Sequence, residues 1–179
     1  MSLIKCSHTK KQYIIYRKTP LNTKVRGFVS IAKYYMYYAP NIDCKHSVGR
    51  LEGESGEIAL TEMLNGARMR KQYKFFQRLR TNWWDEYCLE GESFCVRCPR
   101  LVCKQNAHES ELTSLLRHIR NSFAHGLIYV WRENGKGTAF IVLEDYEKNG
   151  KTLSARMVLT DKILNDWKAI LDSHIAVGE

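Results

Sequence analysis

Three residues of the segment LLRHIRNSFAHG, residues 115–126, could do chemistry together: Arg120, Asn121 and His125. An imidazole titrates near neutrality and can take up or release a proton. A guanidinium is no base, but its planar fork grips a phosphate and stabilises negative charge that grows in a transition state. An amide can orient either partner. The positions of these side chains follow from Leu112, Leu115, Leu116, Ile119 and Phe123, which recur at the spacing of one buried helical stripe. On a wheel advancing by about 100° per residue from Leu112, Arg120 falls near 80°, Asn121 near 180° and His125 near 220°, all outside that stripe. Two roles are open to His125 on this reading: an outward acid or base, or a last-turn partner for the helix dipole ahead of the capping Gly126.

The elements that carry this helix are read from periodicity. Pro20 marks a start, and Val25, Phe28, Val29, Ala32, Tyr35, Met36 and Ala39 form a helical stripe that Pro40 ends. Residues 41–56, with three glycines, read as a loop. A second helical pattern spans 57–90, with Ile58, Leu64, Ala67, Phe75, Phe76, Leu79, Trp83 and Tyr87 as inward residues and Gly66 as a possible break. A Cys-rich connector leads to the helix at 109–125. Beyond Gly126 the period changes from 3.6 to 2: LIYVWRE, TAFIVLED and TLSARMVLT, separated by segments carrying Asn-Gly, predict a three-stranded antiparallel meander. A last helix over 161–175, N-capped by Thr160, packs through Ile163, Leu164, Trp167, Ile170 and Leu171. The fold class expected is mainly α: one domain over 1–179, a helical bundle with a small antiparallel β-meander inserted before the C-terminal helix.

With 179 residues, 44% hydrophobic and 26% charged, the chain has the composition of an ordinary globular domain rather than a disordered or fibrous one. No apolar run is long enough for a membrane span, and the start lacks the apolar core of a signal peptide, so a cytoplasmic protein with no membrane partner is expected. The net charge of +9 is uneven: residues 1–126 hold 21 Lys and Arg against 11 Asp and Glu, whereas the remainder is close to balance. A field of that sign attracts a polyanion, nucleic acid or acidic protein. Its densest part is Arg68, Arg70, Lys71, Lys74, Arg78 and Arg80, interleaved with Tyr73, Phe75 and Phe76. With Arg117, the first five of these cations are candidate RNA contacts through phosphates; the same run is equally read as a solvated helix face over core aromatics.

Cys95, Cys98, Cys103 and His108 have spacing resembling a zinc knuckle with its last two ligand types exchanged, so a structural zinc and a set of buried thiols are both open. No cofactor is expected for catalysis. Phosphate-binding P-loop, dinucleotide-turn and HExxH strings are absent. The other histidines, His118 among them, read as surface residues.

Arg120-Asn-Ser-Phe-Ala-His125-Gly resembles the Arg-x4-6-His signature of HEPN domains, which carry it late in a helical bundle. The resemblance covers roughly residues 20–126 and 160–175, leaving the meander outside. It implies a HEPN-like bundle acting as a metal-independent endoribonuclease, often a toxin or defence effector. In such proteins two signature helices meet across a homodimer axis and build one cleft, and an antitoxin or regulatory protein is a possible partner. RNA supplies its own nucleophile, the ribose 2′-OH. His125 would then move protons, Arg120 would hold the phosphate, and Asn121 would orient the ribose, the phosphate or His125, leaving a 2′,3′-cyclic phosphate and a 5′-OH. The other reading is a catalytically silent HEPN-like module that binds a nucleotide, RNA or a protein. Some HEPN toxins carry a modifiable Tyr two residues after the His; Leu127 stands there in this chain, so that mode of silencing is not expected.

Overall fold

The computed structural model describes residues 14–15, 28–69, 71–78, 83–91, 93–132 and 137–176. Pro20, Val25, Arg70, Leu79, Arg80 and residues 133–136, where the sequence predicts a turn, lie outside them.

Helix α1 (Phe28–Lys33) runs into a π-helical turn, Tyr34–Tyr38, and Pro40 follows it. Phe28, Ile31, Ala32, Tyr34 and Tyr35 are buried, but Val29, placed in the stripe by its spacing, is 72% exposed. A loop leads to α2 (Gly53–Gly66). Asn41 folds that loop back: its Nδ2 donates to Leu51 O at 2.8 Å and its Oδ1 accepts from Leu51 N at 2.7 Å. Ile58, an expected inward residue of the second helix, is 44% exposed.

The long second helix does not continue past Gly66. Arg68 and Lys71 have φ of 54° and 63°, which no α-helix accommodates, and the aromatic-rich Tyr73–Phe76 that follows is strand β2. Phe75 and Phe76, adjacent in sequence, therefore enter different cores on opposite faces of the sheet. After short helix α3 (Trp83–Glu86) and strand β3 (Ser93–Phe94), the latter antiparallel to β1 (Ile14–Ile15), the Cys-rich connector becomes strand β4 (Arg100–Lys104). Helix α4 (Glu111–Ala124), strands β5 (Ile128–Trp131), β6 (Phe140–Tyr146) and β7 (Leu153–Thr160), and helix α5 (Asp161–Ala176) complete the order. Thr160 caps α5 as its sequence suggests, Oγ1 accepting from Ile163 N at 3.1 Å.

The antiparallel meander β5-β6-β7 forms as expected, but it is part of a larger mixed sheet ordered β2-β4-β7-β6-β5, in which β2 and β4 pair in parallel and the other neighbours antiparallel. The fold is thus a mixed α/β structure, which corrects the mainly α expectation. The physical reason is burial on both faces. Leu101, Cys103, Ile141, Leu143, Met157 and Leu159 face the helices. Val102, Val142 and Val158 face a second core with Phe76, Leu89, Phe94 and Val96. A strand covered on both sides reads as a continuous apolar run and loses the alternation that would announce it.

Two buried ion pairs accompany this sheet. Glu144 and Arg156 are opposite each other on β6 and β7, with Arg156 Nε donating to Glu144 Oε1 at 2.6 Å. Arg156 Nη1 also donates to the carbonyls of Leu89 and Gly91, tying the outer layer to the sheet. The second pair, His118 with Asp145, lies on the helical side.

Candidate functional site

Helix α4 is held at both ends. Ser110 Oγ accepts from Thr113 N at 3.1 Å as the N-cap. At the other end Gly126 takes φ +66°, and Leu127 N bonds back to Ser122 O at 2.9 Å, the close of a Schellman turn. His125 stands at this C-terminus, exposed; its backbone N–H donates to Asn121 O at 2.9 Å, and its imidazole has no hydrogen-bond partner among the described residues. Arg120 and Asn121 are half-buried one turn earlier. The chain brings Arg120 and Asn121 into direct contact, Arg120 Nη1 donating to Asn121 Oδ1 at 3.3 Å.

The hydrophilic side of α4 is not uniformly open. Leu112, Leu115, Leu116, Ile119 and Phe123 pack among the helices, but Ser114, His118 and Ser122, spaced at i, i+4 and i+8, are also completely buried. This second row faces the sheet. Lys104 O, at the end of β4, accepts from Ser114 Oγ at 2.9 Å, from Arg117 Nη2 at 3.1 Å and from His118 Nε2 at 2.7 Å. His118, expected at the surface, is therefore a core residue. Its Nδ1 lies 2.7 Å from Asp145 Oδ2.

Asp145 faces α4 by the ordinary alternation of β6, on the same side of the strand as Ile141 and Leu143. The same Oδ2 accepts from Asn121 Nδ2 at 3.1 Å, and Oδ1 accepts from Tyr146 N at 3.0 Å. Burial alone would raise the Asp145 carboxyl, but the hydrogen bond and charge of His118, then Asn121 and Arg117, hold it below the usual carboxylate range. Lys104 O can only accept, so His118 Nε2 donates to it, and Arg117 Nη2 lies 3.3 Å from the same nitrogen.

Arg117 is committed locally. Its Nε and Nη2 donate to Glu109 Oε1 and Oε2 at 2.7 and 2.9 Å, a fork-on-carboxylate pair. Glu109 is raised by burial and more than compensated by the Arg117 and Asn106 hydrogen bonds and the nearby charges of Arg117 and His118, so its carboxyl also stays low. A cleft of about 610 Å³ opens beside these groups, with Lys104, Asn106, Arg117, Asn121 and Asn149 among its walls.

The basic run is divided among different settings. Arg68, Lys71 and Arg78 are exposed around the ends of edge strand β2. Lys74 is half-buried with Nζ 4.5 Å from the centre of the Trp83 ring. Arg70 lies outside the described residues. Lys74 acts electrostatically on Glu111, at the start of α4, whereas His125 is at its end, about 20 Å away at 1.5 Å rise per residue.

Cys103 points into the helical core and Cys95 is wholly buried. Burial pushes the Cys103 thiol well up, away from the thiolate that a metal needs. Among the described residues no three His, Cys, Asp or Glu side chains gather as a metal-binding set.

Sequence reasoning missed His118 and Asp145. Their signals were a small-polar row at i, i+4 and i+8, and two adjacent acids ending an apolar strand. Residues 57–172 match the family model described as HEPN pEK499 p136, and the chain belongs to this HEPN family. The match runs through the meander as well as the signature helix, so those strands lie within the matched stretch rather than outside it. No curated protein and no solved structure matches the chain. Membership of the family is compatible with a nuclease or a binding module, and no helix among the described residues is long and apolar enough to cross a membrane.

Proposed function

We propose that the protein is a metal-independent HEPN-type endoribonuclease acting as a homodimer, with Arg120, Asn121 and His125 as its catalytic residues. The observation that carries this reading is the exposure of His125 at the end of an otherwise well-buried helix, one turn from the linked Arg120 and Asn121. A second copy of α4 would close the cleft and bring a second Arg and His to one phosphodiester. His125 accepts the 2′-OH proton or protonates the 5′-oxygen, Arg120 neutralises the phosphorane, and Asn121 orients the reacting groups. Cleavage breaks the P–O5′ bond as the O2′–P bond forms, so no water or metal is consumed in that step.

Exposed Arg68, Lys71 and Arg78, with Lys74 and Arg70, would guide the RNA strand by phosphate contacts, and a toxin or defence role would follow from cutting cellular RNA. The test is total or transfer RNA incubated in EDTA with wild type and with His125→Ala. Wild type is expected to cut and the variant to be inert while remaining folded and dimeric. A wild type that binds RNA without cutting it would leave the binding-module reading in its place.

A further inference from the structure

We propose that His118 and Asp145 are positioning residues for the signature, setting the orientation of Asn121 and, through it, of Arg120. This inference rests on the reading above for its catalytic consequence, but its structural content is independent of it.

The contacts form one continuous path. Lys104 O on β4 accepts from His118 Nε2, and His118 Nδ1 lies 2.7 Å from Asp145 Oδ2. The same oxygen accepts from Asn121 Nδ2, and Asn121 Oδ1 accepts from Arg120 Nη1. Because only the NH₂ end of an amide can face the carboxylate, the carbonyl end of Asn121 is turned towards Arg120. Two strands of the sheet thereby fix which way the signature amide points. Neither His118 nor Asp145 is placed to act on RNA: they are 0% and 3% exposed, and both ring nitrogens of His118 are occupied.

Stability alone does not account for such a pair. An ion pair so deeply buried costs desolvation that close-packed apolar side chains would avoid, so its use here lies in direction. Arg117 is paired with Glu109 and makes no hydrogen bond to Asp145, whose side-chain partners are His118 and Asn121. The half-buried state of Asn121 and Arg120 gives the path its outlet: His118 at one end is buried in the core, and Asn121 lines the cleft.

The experiment has a spectroscopic arm and a kinetic arm, on full-length wild type, Asp145→Asn, Asp145→Ala and His118→Gln. In ¹⁵N-labelled wild type, the Asn121 side-chain amide and the His118 Nε2–H proton are expected to be visible and slow to exchange. In variants whose backbone spectrum shows a retained fold, the Asn121 amide and the Arg120 Nη1 protons should exchange at solvent-like rates. Single-turnover cleavage should fall about 10- to 100-fold with RNA affinity within about threefold, a split that general destabilisation would not give. Unprotected Asn121 and His118 protons in wild type, or protected ones in the folded variants, would overturn the positioning role. A wild type without nuclease activity whose Asn121 signal still depends on Asp145 would sink the nuclease reading and leave the positioning intact.

Discussion

Asp145 on β6 and Asn121 on α4 are joined by a 3.1 Å hydrogen bond that runs from the sheet to the signature itself. The bond requires the strand alternation that turns Asp145 towards the helix and the buried His118 whose hydrogen bond and charge hold its carboxyl low. Sheet and signature are therefore one structural unit, and the predictions below follow from treating them so.

Acid sensitivity should be traceable to this unit. Asp145 and Glu109 both titrate below their ordinary range in the folded chain. Their contribution to stability is present above the unfolded values, about 4, and is lost as pH falls through the lower folded values. Urea midpoints measured against pH should show a steep acid limb in wild type and a shallower one in Asp145→Asn. Equal limbs would contradict the assignment.

On the other face of the sheet, Glu144→Ala would strand the Arg156 guanidinium, whose Nε donates to Glu144 in a site 6% exposed. A loss of about 3–5 kcal/mol in unfolding free energy is expected from urea titration. A loss below about 1 kcal/mol would mean that the remaining contacts satisfy the charge.

Gly126→Ala tests the end of the signature helix. The residue has φ +66° and no atom within 4 Å of an added Cβ, so only backbone strain is introduced. Destabilisation of about 1–2 kcal/mol is expected, and thermal unfolding should register it. A stabilised variant would show that the left-handed turn is not required.

Reversing charge at Arg70, Lys71 and Lys74 should weaken RNA binding and flatten its dependence on log salt by about 2 in slope. Fluorescence anisotropy across a salt series reads this directly, and an unchanged slope would remove the run from the RNA path.

The signature helix and α5 were legible from apolar residues recurring with a period of 3.6, and the meander from β-branched apolar runs separated by Asn-Gly, although β6 and β7 are buried on both faces. Strands β2 and β4 were not. Phe75, Phe76 and Trp83 mimic helical spacing when read along the chain, yet Phe75 and Phe76 serve two separate cores. His118 was hidden for a related reason: a wheel drawn from the leucines marks one buried stripe, whereas α4 has a second, polar one that exists only because β4 and β6 pack against it. The positions of Arg120, Asn121 and His125 on α4 could be read from the sequence, but the Asp145 that orients Asn121 could not, because it comes from a strand 24 residues further on.

The most direct measurement is cleavage of a defined RNA oligonucleotide in EDTA, beside the same oligonucleotide carrying a single 2′-deoxy substitution at the cut position. Wild type should cut the first to a 2′,3′-cyclic phosphate and a 5′-OH end, spare the second at that position, and lose activity on both as His125→Ala or Arg120→Ala. Undiminished cutting at the 2′-deoxy position, or by folded His125→Ala, would contradict the proposed use of the ribose hydroxyl and the signature histidine.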